Sequence, residues 1–77
     1  MSATDKISRT ISTPEIVSAL QFARQQLAIE EAVIHVSAVD TAVYHSARYA
    51  RALWAGRVAA YEYVLCLEPG ETTEDIA

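Results

Sequence analysis

Seventy-seven residues suit one domain, and 52% apolar content with two glycines and two prolines excludes a disordered chain and a many-turned β-barrel. Ten acids against six bases leave a net charge of −4, which gives no general electrostatic support for binding nucleic acid or an anionic membrane. The single cysteine, Cys66, excludes an intramolecular disulfide and a zinc site built on several thiolates.

Residues 1–12 are polar, contain little that packs, and read as a mobile N-terminal arm. Met1 to Lys6 has no apolar leader, and Glu30, Glu31, Asp40, Arg57 and Glu62 break the apolar stretches well short of a membrane span of ~20 residues. With a lone thiol, this sets the expectation of a cytoplasmic protein. A helix start follows at about residue 13. With Ser12 as N-cap, Glu15 closes a capping box, and Ile11 and Ile16 take the hydrophobic-staple positions. With Thr13 as the cap instead, Pro14 occupies its favoured first helical position. At the far end Glu68-Pro69-Gly70 stops the helical pattern, leaving residues 69–77 as an acidic, disordered tail.

Between Pro14 and Pro69 there is no proline and one glycine, Gly56, so the helical domain spans 13–68. Ser37-Ala38-Val39-Asp40-Thr41 is the only cluster of weak helix formers inside it, and Asp40 or Thr41 can cap a second helix. The reading is all-α: an antiparallel two-helix hairpin with helices over about 13–38 and 41–68. Val43, Ala47, Ala50, Trp54, Val58, Tyr61 and Leu65 form one apolar stripe on helix 2. Folding at 38–41 sets Val36 against Val43, Val33 against Ala47, Ile29 against Ala50 and Phe22 near Val58. It also brings Glu30 and Glu31 beside Arg48 and Arg51. The competing pattern is the seven-residue repeat Phe22, Ile29, Val36, Val43, Ala50, which a continuous coiled-coil helix would show.

A second apolar stripe remains on each helix. Helix 1 carries Ile16, Leu20, Ala23, Leu27 and Ile34, and helix 2 carries Tyr49, Ala52, Gly56, Ala60 and Tyr63. A two-helix hairpin buries one stripe per helix, so the surplus predicts either a homodimer closing a four-helix bundle or the docking of a larger protein. Ala52, Gly56 and Ala60 lie on one ridge that would allow close backbone approach.

Chemistry-bearing constellations are sparse. Glu31 and His35 share a helix face, and Asp40 and His45 flank the turn, but no Glu-x-x-His of the di-metal bundles occurs. Cys66 lies in an apolar run without neighbouring cations. No catalytic residue, cofactor or metal ligand is assigned, and a small metal-binding bundle stays as an alternative. From Thr41 to Tyr61 there are three arginines and no acid. Tyr44, Arg48, Arg51 and Arg57 are the residues expected to dock a partner, since Tyr and Arg dominate binding hot spots.

Lys6-Ile7-Ser8-Arg9-Thr10-Ile11-Ser12-Thr13-Pro14-Glu15 resembles the start of ribbon-helix-helix repressors, in which a short strand enters a Pro-Glu helix start. That resemblance implies a DNA-reading arm. The departures are an apolar periodicity unbroken to Val36 and an arm with only Lys6 and Arg9 as bases. In architecture alone the hairpin dimer resembles the RNA-binding plasmid copy-number modulators. The functional expectation is a non-enzymatic interaction protein, an adaptor, inhibitor or assembly factor of the kind bacteria and phages encode. A nucleic-acid-binding regulator is the alternative.

Overall fold

The computed structural model describes residues 12–74 and 76. Two helices, α1 (Thr13–Val36) and α2 (Ala42–Val64), pack against each other, and no strand occurs among the described residues. The chain is therefore a helical hairpin and not one continuous helix. Among the described residues no helix is long and apolar enough to cross a membrane.

Ser12 caps α1. Its Oγ accepts from the Glu15 backbone N–H at 3.4 Å, and Glu15 Oε1 accepts in return from the Ser12 N–H at 3.3 Å. The capping box thus satisfies donors that the first helical turn leaves without partners. Ile11, the outer half of the expected staple, lies outside the described residues, as does the rest of the arm to residue 11. The break falls in the cluster of weak helix formers. Ser37 leaves the helix with extended backbone, and Thr41 caps α2 by accepting from the Tyr44 N–H while donating to the Ala38 carbonyl.

At its C-terminus α2 ends four residues earlier than the proline signal suggested. Cys66 adopts φ +58, the Cys66 N–H donates to the Tyr63 carbonyl, and the Leu67 N–H donates to the Glu62 carbonyl. These are the two bonds of a Schellman cap, with cysteine in the left-handed position that glycine usually takes. The turn repositions the chain so that Leu67 packs onto the core.

The core consists of Leu20, Ala23 and Val58, with Leu27, Trp54, Tyr61, Leu65 and Leu67 packed around it. Leu20 is 0% exposed and is the only large side chain fully buried among the described residues. For helix 2 the expected inward stripe is the one observed, except that Val43 remains exposed. For helix 1 the two stripes are exchanged. Leu20, Ala23 and Leu27, expected on the surplus face, form the hairpin seam, whereas Phe22, Ile29 and Val36 face outward. With the Leu20 stripe turned inward, its polar neighbours also find partners: Arg24 reaches Glu62, and Gln21 reaches Thr73.

Those bonds also tie down the segment after α2. Glu68 to Glu71 forms a tight turn around Pro69 and Gly70, the latter at φ +79, a conformation glycine adopts freely. Beyond it Thr73 is buried and accepts from Gln21 Nε2 at 3.1 Å. The acidic segment is therefore not a free tail over its described part. Its polar groups find partners on α1, which composition alone does not reveal.

Candidate functional site

Contacts between the helices define two unlike flanks. On one, Phe22 meets Trp54 edge-on, with ring centroids 5.7 Å apart, and the Arg57 guanidinium covers the Trp54 ring at 4.8 Å. Further toward the turn, Val33, Val43 and Ala47 line an open depression with Glu30, Ala42 and Ser46. Seven-residue spacing keeps Phe22, Ile29 and Val36 on one side of α1, and Val43, Ala50 and Arg57 on one side of α2. This flank is apolar and exposed. Phe22 is 54%, Ile29 53% and Val36 80% open to solvent.

The opposite flank is polar. Arg24 Nη2 bonds Glu62 Oε2 at 2.9 Å, and Arg51 Nε lies 3.6 Å from Glu31 Oε2. Arg48 stacks over Tyr44 at 5.7 Å, and Tyr44 meets His45 edge-on. Glu31, Ile34, His35 and Arg51 line a second shallow depression. Glu62 is buried, and its carboxyl is held below the ordinary carboxylate value. The Arg24 hydrogen bond contributes most, followed by the Gly70 N–H, and together they outweigh burial.

A third exposed surface is the outward side of α2, where Tyr49, Leu53, Tyr63 and Val64 are open and Tyr63 reaches 84%. Ala52, Gly56 and Ala60 are exposed there too, and a Cβ added at Gly56 would meet nothing within 4 Å. The small-residue ridge makes no close approach inside the hairpin.

Comparison with family models, curated proteins and solved structures finds no match. The surfaces must therefore be interpreted from their own chemistry.

Of the expected interface set, Tyr49, Ala52, Gly56, Ala60 and Tyr63 share the outward side of α2. Leu20 and Leu27 do not belong to an exposed face, being used by the hairpin itself, while Ile16 and Ile34 are half-buried. The expected docking set is split between flanks. Tyr44, Arg48 and Arg51 lie on the polar one and Arg57 on the apolar one. Arg51 is partly committed to Glu31, as the charge pattern anticipated. Among the described residues no three His, Cys, Asp or Glu side chains converge as a metal site would require. Sequence reasoning left Leu53 and Val64 unassigned and placed Phe22, Ile29 and Val36 inside. Their seven-residue repeat with Val43 and Ala50 was the available signal that they form a seam of their own.

Proposed function

We propose that this chain is a small non-enzymatic protein–protein interaction module. In this reading it self-associates toward a four-helix bundle and holds a larger protein on the outward side of α2, as an adaptor, inhibitor or assembly factor. The observation that supports it is the two-sided exposure of large apolar side chains. Phe22, Ile29, Val36 and Val43 are open on one flank, and Tyr49, Leu53, Tyr63 and Val64 on the back of α2. A two-helix layer has little interior. Complete burial of one such side chain is worth roughly 1.5–3 kcal/mol, so covering either surface supplies a substantial driving force. The arginines favour a protein over a nucleic acid as partner, because they are divided between two flanks and do not form one basic stripe.

Two measurements test this. Sedimentation equilibrium should show a dimer at micromolar concentration, and a strict monomer overturns the bundle. Immobilised full-length chain should retain one protein from source-cell extract at fixed stoichiometry and lose it when Tyr49→Ala and Tyr63→Ala are combined. Recovery of nucleic acid with steep salt dependence would instead establish the regulator alternative.

A further inference from the structure

Beyond the cap of α2, the segment that begins at Glu68 carries bonds of its own. The Glu68 N–H donates to Glu71 Oε1 at 2.8 Å, the Glu71 N–H to the Glu68 carbonyl at 3.0 Å, and the Ile76 N–H to the Thr73 carbonyl at 3.1 Å. Three further bonds fasten it to the helices. The Gly70 N–H donates to Glu62 Oε2 at 2.9 Å, Arg24 Nη2 to the Glu71 carbonyl at 2.8 Å, and Gln21 Nε2 to Thr73 Oγ1 at 3.1 Å. The chain thus passes along α1 from Arg24 toward Gln21, and the next position on that side of the helix, four residues before Gln21, is Val17. Val17 is 6% exposed without belonging to the core cluster of Leu20, Ala23 and Val58. Of the segment's own described residues, Thr73 alone is buried, and Ile76 is half-buried.

We infer that this segment is a strap that opens as one unit while α1 and α2 stay packed, and that its opening uncovers Val17. A buried ion pair is costly to disturb when a charge loses its partner. Opening the strap strands no charge, because the 2.9 Å bond between Arg24 Nη2 and Glu62 Oε2 joins α1 to α2 and remains made. The groups that part from the helices are a backbone N–H, a backbone carbonyl and a hydroxyl, all of which water serves in exchange. The Schellman cap stays as well. Its two bonds, to the Tyr63 and Glu62 carbonyls, lie on the helix side of Glu68, and so does the contact of Leu67 with the core. A segment held by hydrogen bonds and little apolar burial opens at lower free energy than the core it lies on. The bonds within the strap carry it as one piece, so the fastenings at Gly70, Glu71 and Thr73 are made and lost together.

Native-state hydrogen exchange of the full chain reads the opening at the Gly70 amide, against those of Leu20 and Val58 in the core. Corrected for intrinsic rates, Gly70 should exchange at least about a hundredfold faster than Val58 and with little dependence on low urea, because opening exposes little surface. Gln21→Ala, at an exposed position, removes the fastening at the Thr73 end. It should speed exchange at Gly70 about two- to tenfold, the weight of one hydrogen bond. Val17→Cys supplies a second reporter in a Cys66→Ser background, which removes the exposed native thiol. Its labelling by a thiol reagent should also be insensitive to low urea, and should rise by the same factor when Gln21→Ala is added. The Gly70 measurement needs no substitution and decides the opening by itself. A Gly70 amide with the rate and urea slope of Val58 would overturn the inference, since the segment would then leave only as the hairpin unfolds. Gly70 exchange indifferent to Gln21→Ala would overturn the single unit. Labelling of Val17→Cys only at the rate of global unfolding would overturn the place of Val17 beneath the strap.

Discussion

Glu62 and Arg24 illustrate how one ion pair can hold three chain segments. Glu62 Oε2 accepts from Arg24 Nη2 and from the Gly70 N–H, each at 2.9 Å, while Arg24 Nη2 also donates to the Glu71 carbonyl at 2.8 Å. A carboxylate whose charged form receives two donors releases its proton more readily when folded than when unfolded. Its contribution is therefore complete above the unfolded value near 4.5 and is lost as pH falls through the lower folded value. Glu62→Gln should cost about 2 kcal/mol at neutral pH, the scale of a hydrogen bond to a charged group. Urea denaturation from pH 7 to pH 3 should show the gap between wild type and variant closing toward acid. A gap independent of pH would contradict this role. Nothing in the sequence pairs Arg24 with Glu62, because they are 38 positions apart and only the hairpin register aligns them.

For the helices, local signals and tertiary contacts settle different questions. Ser12 with Glu15, and Thr41 with Ala38 and Tyr44, set the starts of α1 and α2 through bonds within three residues, so both are readable directly. Register follows from where the turn falls, which is why Glu31 meets Arg51 as expected. The rotation of α1 about its axis does not follow. Its two stripes have similar apolar content, and the Leu20 stripe is selected by partners on α2 and beyond. This makes a quantitative prediction. Leu20→Ala should cost about 2–4 kcal/mol, because a fully buried leucine leaves a cavity, whereas Ile29→Ala should cost under about 1 kcal/mol in dilute, dissociated protein. Equal shifts of the urea midpoint would mean that the Phe22–Ile29–Val36 stripe forms the seam after all.

At the scale of the whole molecule, the hairpin is closed at its open end by the segment after α2. Leu67 covers the core, the Gly70 N–H bonds Glu62, and Thr73 is buried against Gln21. Truncation after Glu68 removes the last two of these and the Glu71 carbonyl that Arg24 uses. Three hydrogen bonds at about 0.5–1.5 kcal/mol each predict a loss of roughly 1.5–4.5 kcal/mol. Thermal denaturation of the shortened chain measures it, and an unchanged midpoint would show that the segment only lies on the surface. The same scale exposes the difference between the flanks. One carries the ion pairs, and the other carries the exposed Phe22, Ile29, Val36 and Val43.

By itself the sequence determined the helical class, the capped helix starts, the position of the turn and an excess of apolar surface. Each depends on residues within a turn or two of one another, or on composition. Only the tertiary structure decided which stripe of α1 is buried, where α2 stops, and that the acidic C-terminal segment is engaged through Thr73. Those outcomes depend on partners roughly 40 to 50 positions away, or on Leu67 finding the core, and no local periodicity encodes them.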